Sequence, residues 1–180
     1  MLRFLYAILL GLVGAGIVHI AVLLLLPTLT ERDAWSRLAN AADLYVVTPA
    51  DGSDGTQPVI EAPDPLFDAV ACRFDLEDGP VRLKADGSVP FWSASIYGRS
   101  GDNLYNFNDR TAAGSALDFV MVTPTQMIEM RKDLPAELES SIFVEVDVDE
   151  GIVVLRSFVP DESWRSIVST YLKSIACTTQ

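Results

Sequence analysis

Residues Phe4 to Leu26 form an apolar run that carries no charged side chain, with His19 the chain's only histidine. As a helix this run reaches roughly 35 Å, enough for a hydrocarbon core of about 30 Å. Lipid offers the backbone no partners, so a lone crossing must be helical. The rival reading is a cleaved signal peptide, whose apolar core is usually about 7–15 residues and ends at a small-residue site. This run is longer, and no such site precedes Pro27. No cysteine lies near its end and no twin arginine precedes it. Residues 1–27 therefore read as a single-pass transmembrane anchor that contacts the lipid bilayer through residues 4–26.

Arg3 flanks the run on one side, and Arg32 and Arg37 on the other. A leading apolar segment with a basic start and a long following domain favours the N-terminus inside. In a bacterium this predicts an inner-membrane protein with a periplasmic C-terminal domain. Within the run, Ala7, Gly11 and Ala15 recur every fourth residue, a spacing that lets two spans pack closely. Self-association through that stripe is one expectation; an envelope protein partner is another.

All 25 acidic residues follow Pro27, with 12 of the 13 basic ones. Such a surface repels phosphate backbones, so no nucleic acid partner is expected. Thr30 or Asp33 is placed to cap a short helix bearing Trp35, Leu38, Ala42 and Tyr45 on one face. Residues 48–65 are rich in Pro, Gly and Asp, which is turn chemistry. Residues 28–58 thus read as a juxtamembrane helix and linker, and residues 59–180 as one extracytoplasmic domain.

Beyond residue 59 the apolar pattern alternates as in strands. Strands are predicted over 66–76, 81–85, 89–98, 104–108, 116–123, 139–150 and 152–160. Gly101 and Asn103 are expected to supply positive φ between the third and fourth, and Gly151 a turn between the last two. Thr123, Pro124 and Gln126 form a capping-box pattern for a helix. Trp164, Ile167, Val168, Tyr171, Leu172 and Ile175 make a helical stripe from about Asp161 to the C-terminal end. The order predicts an α+β fold: a mainly antiparallel sheet with two packed helices behind a transmembrane helix.

Cys72 and Cys177 are the only cysteines. Outside the cytoplasm they invite a disulfide from an early strand to the end of the last helix, with two buried thiols as the alternative. Trp92, Tyr97, Asn103, Tyr105, Asn106, Asn108 and Asp109 form the candidate binding surface, with amides lining a groove and aromatic rings as walls. Hairpin-turn chemistry is the alternative for this stretch. The acidic residues Asp147, Asp149 and Glu150 do not match an EF-hand spacing. The one histidine lies in the apolar run, so no imidazole-based triad or histidine zinc site fits the domain. Glycine-rich nucleotide loops are absent. No catalytic, cofactor or metal residues are assigned.

Several short motifs add a resemblance. Asp64, Leu66 and Phe67 open a strand; Leu76, Gly79, Pro80 and Val81 form its turn; Phe91, Trp92 and Tyr97 follow. Together with the strand-then-helix close from Gly151 to Tyr171, these resemble the domain of unknown function 1254 family. Phe67 stands where that family tends to have tyrosine. The resemblance implies a β-rich, exported or membrane-attached domain, here a short anchored member lacking the family's second domain. It implies no catalytic residue. Three functions follow as expectations: an interaction or scaffold module of the cell envelope, a small-molecule-binding domain using the aromatic and amide strands, or a carboxylate-dependent hydrolase or lyase.

Overall fold

A computed structural model describes residues 2–56, 58–60, 64–112 and 116–180; of the side chains of residues 26–33 nothing is described. The first element is one helix, α1, Leu2–Ala41. Its portion Leu2–Leu25 is long and apolar enough to cross a membrane. The expected break at Pro27 does not occur. A proline removes a single backbone donor, and here the helix carries on through it. Thr30 and Asp33, the expected caps, lie outside the described side chains.

Among the described residues, nine strands form two sheets. Sheet A has five antiparallel strands in the order β1-β2-β8-β4-β5: β1 (Thr48–Pro49), β2 (Phe67–Asp75), β8 (Glu150–Phe158), β4 (Trp92–Gly98) and β5 (Asn103–Asn108). Sheet B has the order β7-β6-β3-β9: β7 (Ile142–Glu145), β6 (Asp118–Val122), β3 (Val81–Lys84) and β9 (Ala176–Thr179). Among the described strands, only β6 and β7 run parallel. The α+β class holds, but two sheets share the work expected of one. Each buries one face in the common core. Sheet A gives Val70, Cys72, Phe74, Trp92, Ala94, Ile96, Val153 and Leu155; sheet B gives Val81, Leu83, Phe119, Met121, Val144 and Cys177.

The helix signals hold at their starts. α2 (Pro124–Met130) begins at Thr123 with both halves of the capping box formed by Gln126. α3 (Glu162–Lys173) is capped by Asp161 and adds Val168, Tyr171 and Leu172 to the core. The helix does not reach the C-terminal end, however. Ser174 closes it, and β9 then pairs with β3, with Cys177 opposite Leu83. Four residues are too few to show an alternation, and Thr178 and Thr179 are β-branched, which favours a strand.

Two further expectations change near residue 150. The strand expected over 139–150 is only β7, and the chain crosses from sheet B to sheet A after it. Gly151 is not a turn. It sits inside β8 opposite Phe74 and Gly98, where a Cβ would come within 2.4 Å of the Phe74 ring and of the Tyr97 carbonyl oxygen. Glycine is needed there for close approach.

Cys72 and Cys177 form a disulfide. It joins β2 of sheet A to β9 of sheet B through the core, with both residues buried. On the opposite face of sheet B, the Arg82 guanidinium donates to both Asp118 carboxylate oxygens at 2.8 and 2.6 Å, and the Ser141 hydroxyl donates to Oδ1 at 2.9 Å. Burial opposes ionisation of Asp118, yet these donors hold its pKa below the ordinary carboxylate value.

Two outcomes are expected. Replacing both cysteines by alanine should lower stability by about 2–5 kcal/mol, read as a lower urea midpoint; equal midpoints for the two proteins would contradict it. The pKa of Asp118 is depressed by folding, so its contribution is present above the unfolded value of about 3.9 and is lost as pH falls through the folded one. Asp118→Asn should therefore cost about 1.5–3 kcal/mol at pH 7, and the gap to wild type should close in acid. A gap that stays constant down to pH 2 would exclude this account.

Candidate functional site

Residues directly opposite in an antiparallel ladder share a face, so the register of sheet A lays out its outer surface in rows. One row is Phe67, Phe158 and the neighbouring Phe91. The next is Ala69, Arg156, Ser93 and Asn108. Then come Ala71, Val154, Ser95 and Asn106, and finally Arg73, Ile152, Tyr97 and Asn103. A bulge explains the last position. Ile96 pairs with Tyr105 while Tyr97 pairs with Asn103, leaving Leu104 as the extra residue. The bulge shifts the alternation by one and turns Asn103 onto the face of Asn106. The two amides then bond to each other at 3.1 and 2.7 Å. Asn103 is a strand residue and not the positive-φ turn position expected of it; Gly101 supplies that, at φ +89°.

The predicted binding surface is consequently divided. Tyr97, Asn103, Asn106 and Asn108 lie on the outer face. Trp92 is only 1% exposed and packs edge-to-face on Phe107 at 6.0 Å, so it is core and not a wall. The period of two puts it on the inner face with Ala94 and Ile96. Tyr105 follows the inner side as well, 5.9 Å from Phe107, with its ring half-open to solvent. The Asn108 carboxamide accepts from the Arg110 amide in the turn. Asp109 keeps one buried carboxylate oxygen without a partner among the described residues. The phenol of Tyr171 is pushed up by burial and then by the charge of Asp109. Ala7, Gly11, Ala15 and His19 are exposed along α1.

The last turns of α1 dock on this outer face. Leu38 is fully buried against Ala71 and Ile152, with Trp35, Val59 and Val154 packed around them. The Arg73 and Arg99 guanidiniums each lie 5.3 Å from the Trp35 ring centre. Arg73 also donates to the Ala42 carbonyl at 2.9 Å, and Arg99 pairs with Glu150. Tyr45 then folds back at φ 62°, a left-handed conformation rare for a side chain of that size. Its amide donates to the Arg73 carbonyl at 2.9 Å, and its hydroxyl faces the Asp78 carboxylate and the Asp75 carbonyl. Burial and then Asp78 push the pKa of that phenol far above its ordinary value.

The stretch read as a linker is also part of the fold. Ala50 is buried, donates to the Ala69 carbonyl, and accepts from the amides of Val59 and Ile60. Its aspartates make local turns: Asp51 accepts from the Ser53 amide and Asp54 from Thr56. The sheet thus begins before residue 59, at β1.

Between this segment and the sheet lies a cleft of about 650 Å³, lined by Ala50, Ile60, Asp64, Phe67, Phe91, Arg156 and neighbours. A second cavity of about 250 Å³ adjoins it under Trp35, Val59, Tyr97, Ile152 and Val154. Ala50, Ile60 and Arg156 line both. Of the predicted surface residues, only Tyr97 lines either cavity. Arg156 escaped the sequence reading, although it is the one charge in the apolar run from Ile152 to Val159. Phe67 and Phe91 appear in the sequence as strand and motif residues, and nothing local shows that they meet across β8.

No family model matches the chain, and no curated protein matches it. Among solved structures, the fold is similar to the VPA0106 protein from Vibrio parahaemolyticus. The TM-score is 0.55 over 83% of this chain at 13% identity. An uncharacterised protein from Burkholderia cenocepacia matches 74% of the chain at 14% identity with a TM-score of 0.47. This chain spans about a third of each of those chains, 35% and 36%. The likeness to the Vibrio protein is one of fold alone.

The docking of α1 has a direct test. Leu38→Asp should release residues 34–42 from sheet A, seen as faster amide exchange there while β8 stays protected. Unchanged exchange in that segment would show that Leu38 does not hold the helix end.

Proposed function

We propose that this chain is a single-pass, membrane-tethered recognition domain of the bacterial cell envelope. Its N-terminus is inside, its domain is periplasmic, and its recognition surface is the outer face of sheet A. The observation that carries this reading is the continuity of α1. One helix holds the segment able to cross a membrane and ends in side chains packed on the domain, beside the cleft. A cleaved leader has no need of that junction. A disulfide between buried cysteines supports an oxidising compartment.

The cleft supports recognition. It is concave, has aromatic walls, and offers a cation on a central strand. The carboxylates at its rim are already used in the fold: Asp51 and Asp64 accept backbone amides, and Asp68 pairs with Arg165 at 3.4 Å. We also propose membership of the domain of unknown function 1254 family. The motifs behind that resemblance fall at the turn of Asp64 and Leu66, the turn of Gly79 at φ +130°, and strand β4.

A reporter fused after Gln180 and read in intact cells tests the reading. Activity of a periplasm-dependent reporter is expected, together with cysteines that resist alkylation until reductant is added. A reporter active only in the cytoplasm, or a mature protein shortened by the length of the apolar run, would overturn it.

A further inference from the structure

We propose that the cleft on sheet A is a binding site for a small monocarboxylate with an apolar, ring-sized body, and that Arg156 holds the carboxylate. This deepens the recognition reading and rests on it.

The first argument is the state of the arginines. Arg73 donates to Ala42, Arg82 pairs with Asp118, Arg99 with Glu150, and Arg165 with Asp68 and Glu162. Arg156 is exposed and has no hydrogen-bond or ion-pair partner among the described residues; unlike the exposed Arg110 and Arg131, it stands on the central strand of sheet A and lines both cavities. Its flanking residues in the row are Ala69 and Ser93, small side chains that leave room above the sheet. A guanidinium offers a planar pair of donors that matches a carboxylate.

The second argument concerns the surroundings. On one side of Arg156 stand Phe67, Phe91 and Phe158, with ring centres 6.3 and 5.5 Å from Phe67. On the other are Val59, Ile152, Val154 and the Trp35 ring. An apolar body can lie against either wall while its charge stays at the junction. The third argument sets the charge. Asp51, Asp64 and Asp68 line the larger cleft. They disfavour an anion bearing more than one charge, since among the described residues Arg156 is the one cation there without a partner. A single carboxylate is thereby favoured over a phosphomonoester or dicarboxylate, whose second charge would meet these aspartates without a cation to pair it.

The full chain in nanodiscs, titrated calorimetrically, provides the test. The probes are 2-naphthoate, its neutral isostere 2-naphthylmethanol, and naphthalene-2,6-dicarboxylate. Naphthoate should bind, with the alcohol and the dicarboxylate each roughly 10- to 100-fold weaker. Arg156→Gln should reduce naphthoate to the level of the alcohol with an unchanged melting temperature, and Arg110→Gln, outside both cavities, should have no effect. Equal binding of acid and alcohol, or an unaltered preference in Arg156→Gln, overturns the carboxylate assignment while leaving an apolar ligand cleft. Absence of binding by all three overturns the ligand class. The membrane-tethered reading fails separately, on the reporter and alkylation result.

Discussion

Strand β8 is the constraint on which the rest depends. It lies between β2 and β4 with nine and seven residues in register. A strand in that position has no free edge, so every backbone group is committed to its neighbours. Its inward side chains, Val153 and Leu155, join the core that sheet B and α3 complete. Its outward side chains cannot be buried by the same core. Ile152 and Val154 find cover under Leu38 and Val59, and Arg156 faces the cleft. Core, helix junction and candidate site are thus three consequences of one strand's alternation. Gly151 permits it by letting the Phe74 ring and the Tyr97 carbonyl lie against the backbone.

Local signals were legible in the sequence, and distant pairings were not. The capping box at Thr123, the apolar run and the hairpin of β4 and β5 are each written within a few residues. The alternation also identified most strands. It could not assign them to two sheets, because a period of two says which residues share a face and not which strand lies beside them. The reading of residues 48–58 as linker parts from the fold for a similar reason. Pro, Gly and Asp announce turns, but a turn that folds back on Ala50 has the same composition as a loose tether.

The candidate site shows the same division. Asparagines and aromatic rings on β5 drew attention because they cluster in the chain. The structure spends Trp92 on the core and pairs Asn103 with Asn106. The side chains that line the cleft come from β2, from β4 and the residue before it, from β8 and α3, and from residues 50, 51, 60, 64 and 65. Arg156 was the accessible clue: an arginine inside a central apolar strand needs either a partner or solvent, and its side chain is exposed at the cleft. Its setting became visible only once Ala69 and Ser93 were seen beside it.

The unbroken course of α1 through Pro27 has a geometric consequence. A continuous helix ties the angular position of Leu38 and Trp35 to that of every residue in the apolar segment. Each residue advances the helix by about 100°, so the direction in which the cleft opens is set by the count of residues between the two. On the membrane-tethered reading, the anchor acts as a keyed shaft: it fixes the bearing of the recognition face relative to whatever contacts the span, as well as its distance from the bilayer.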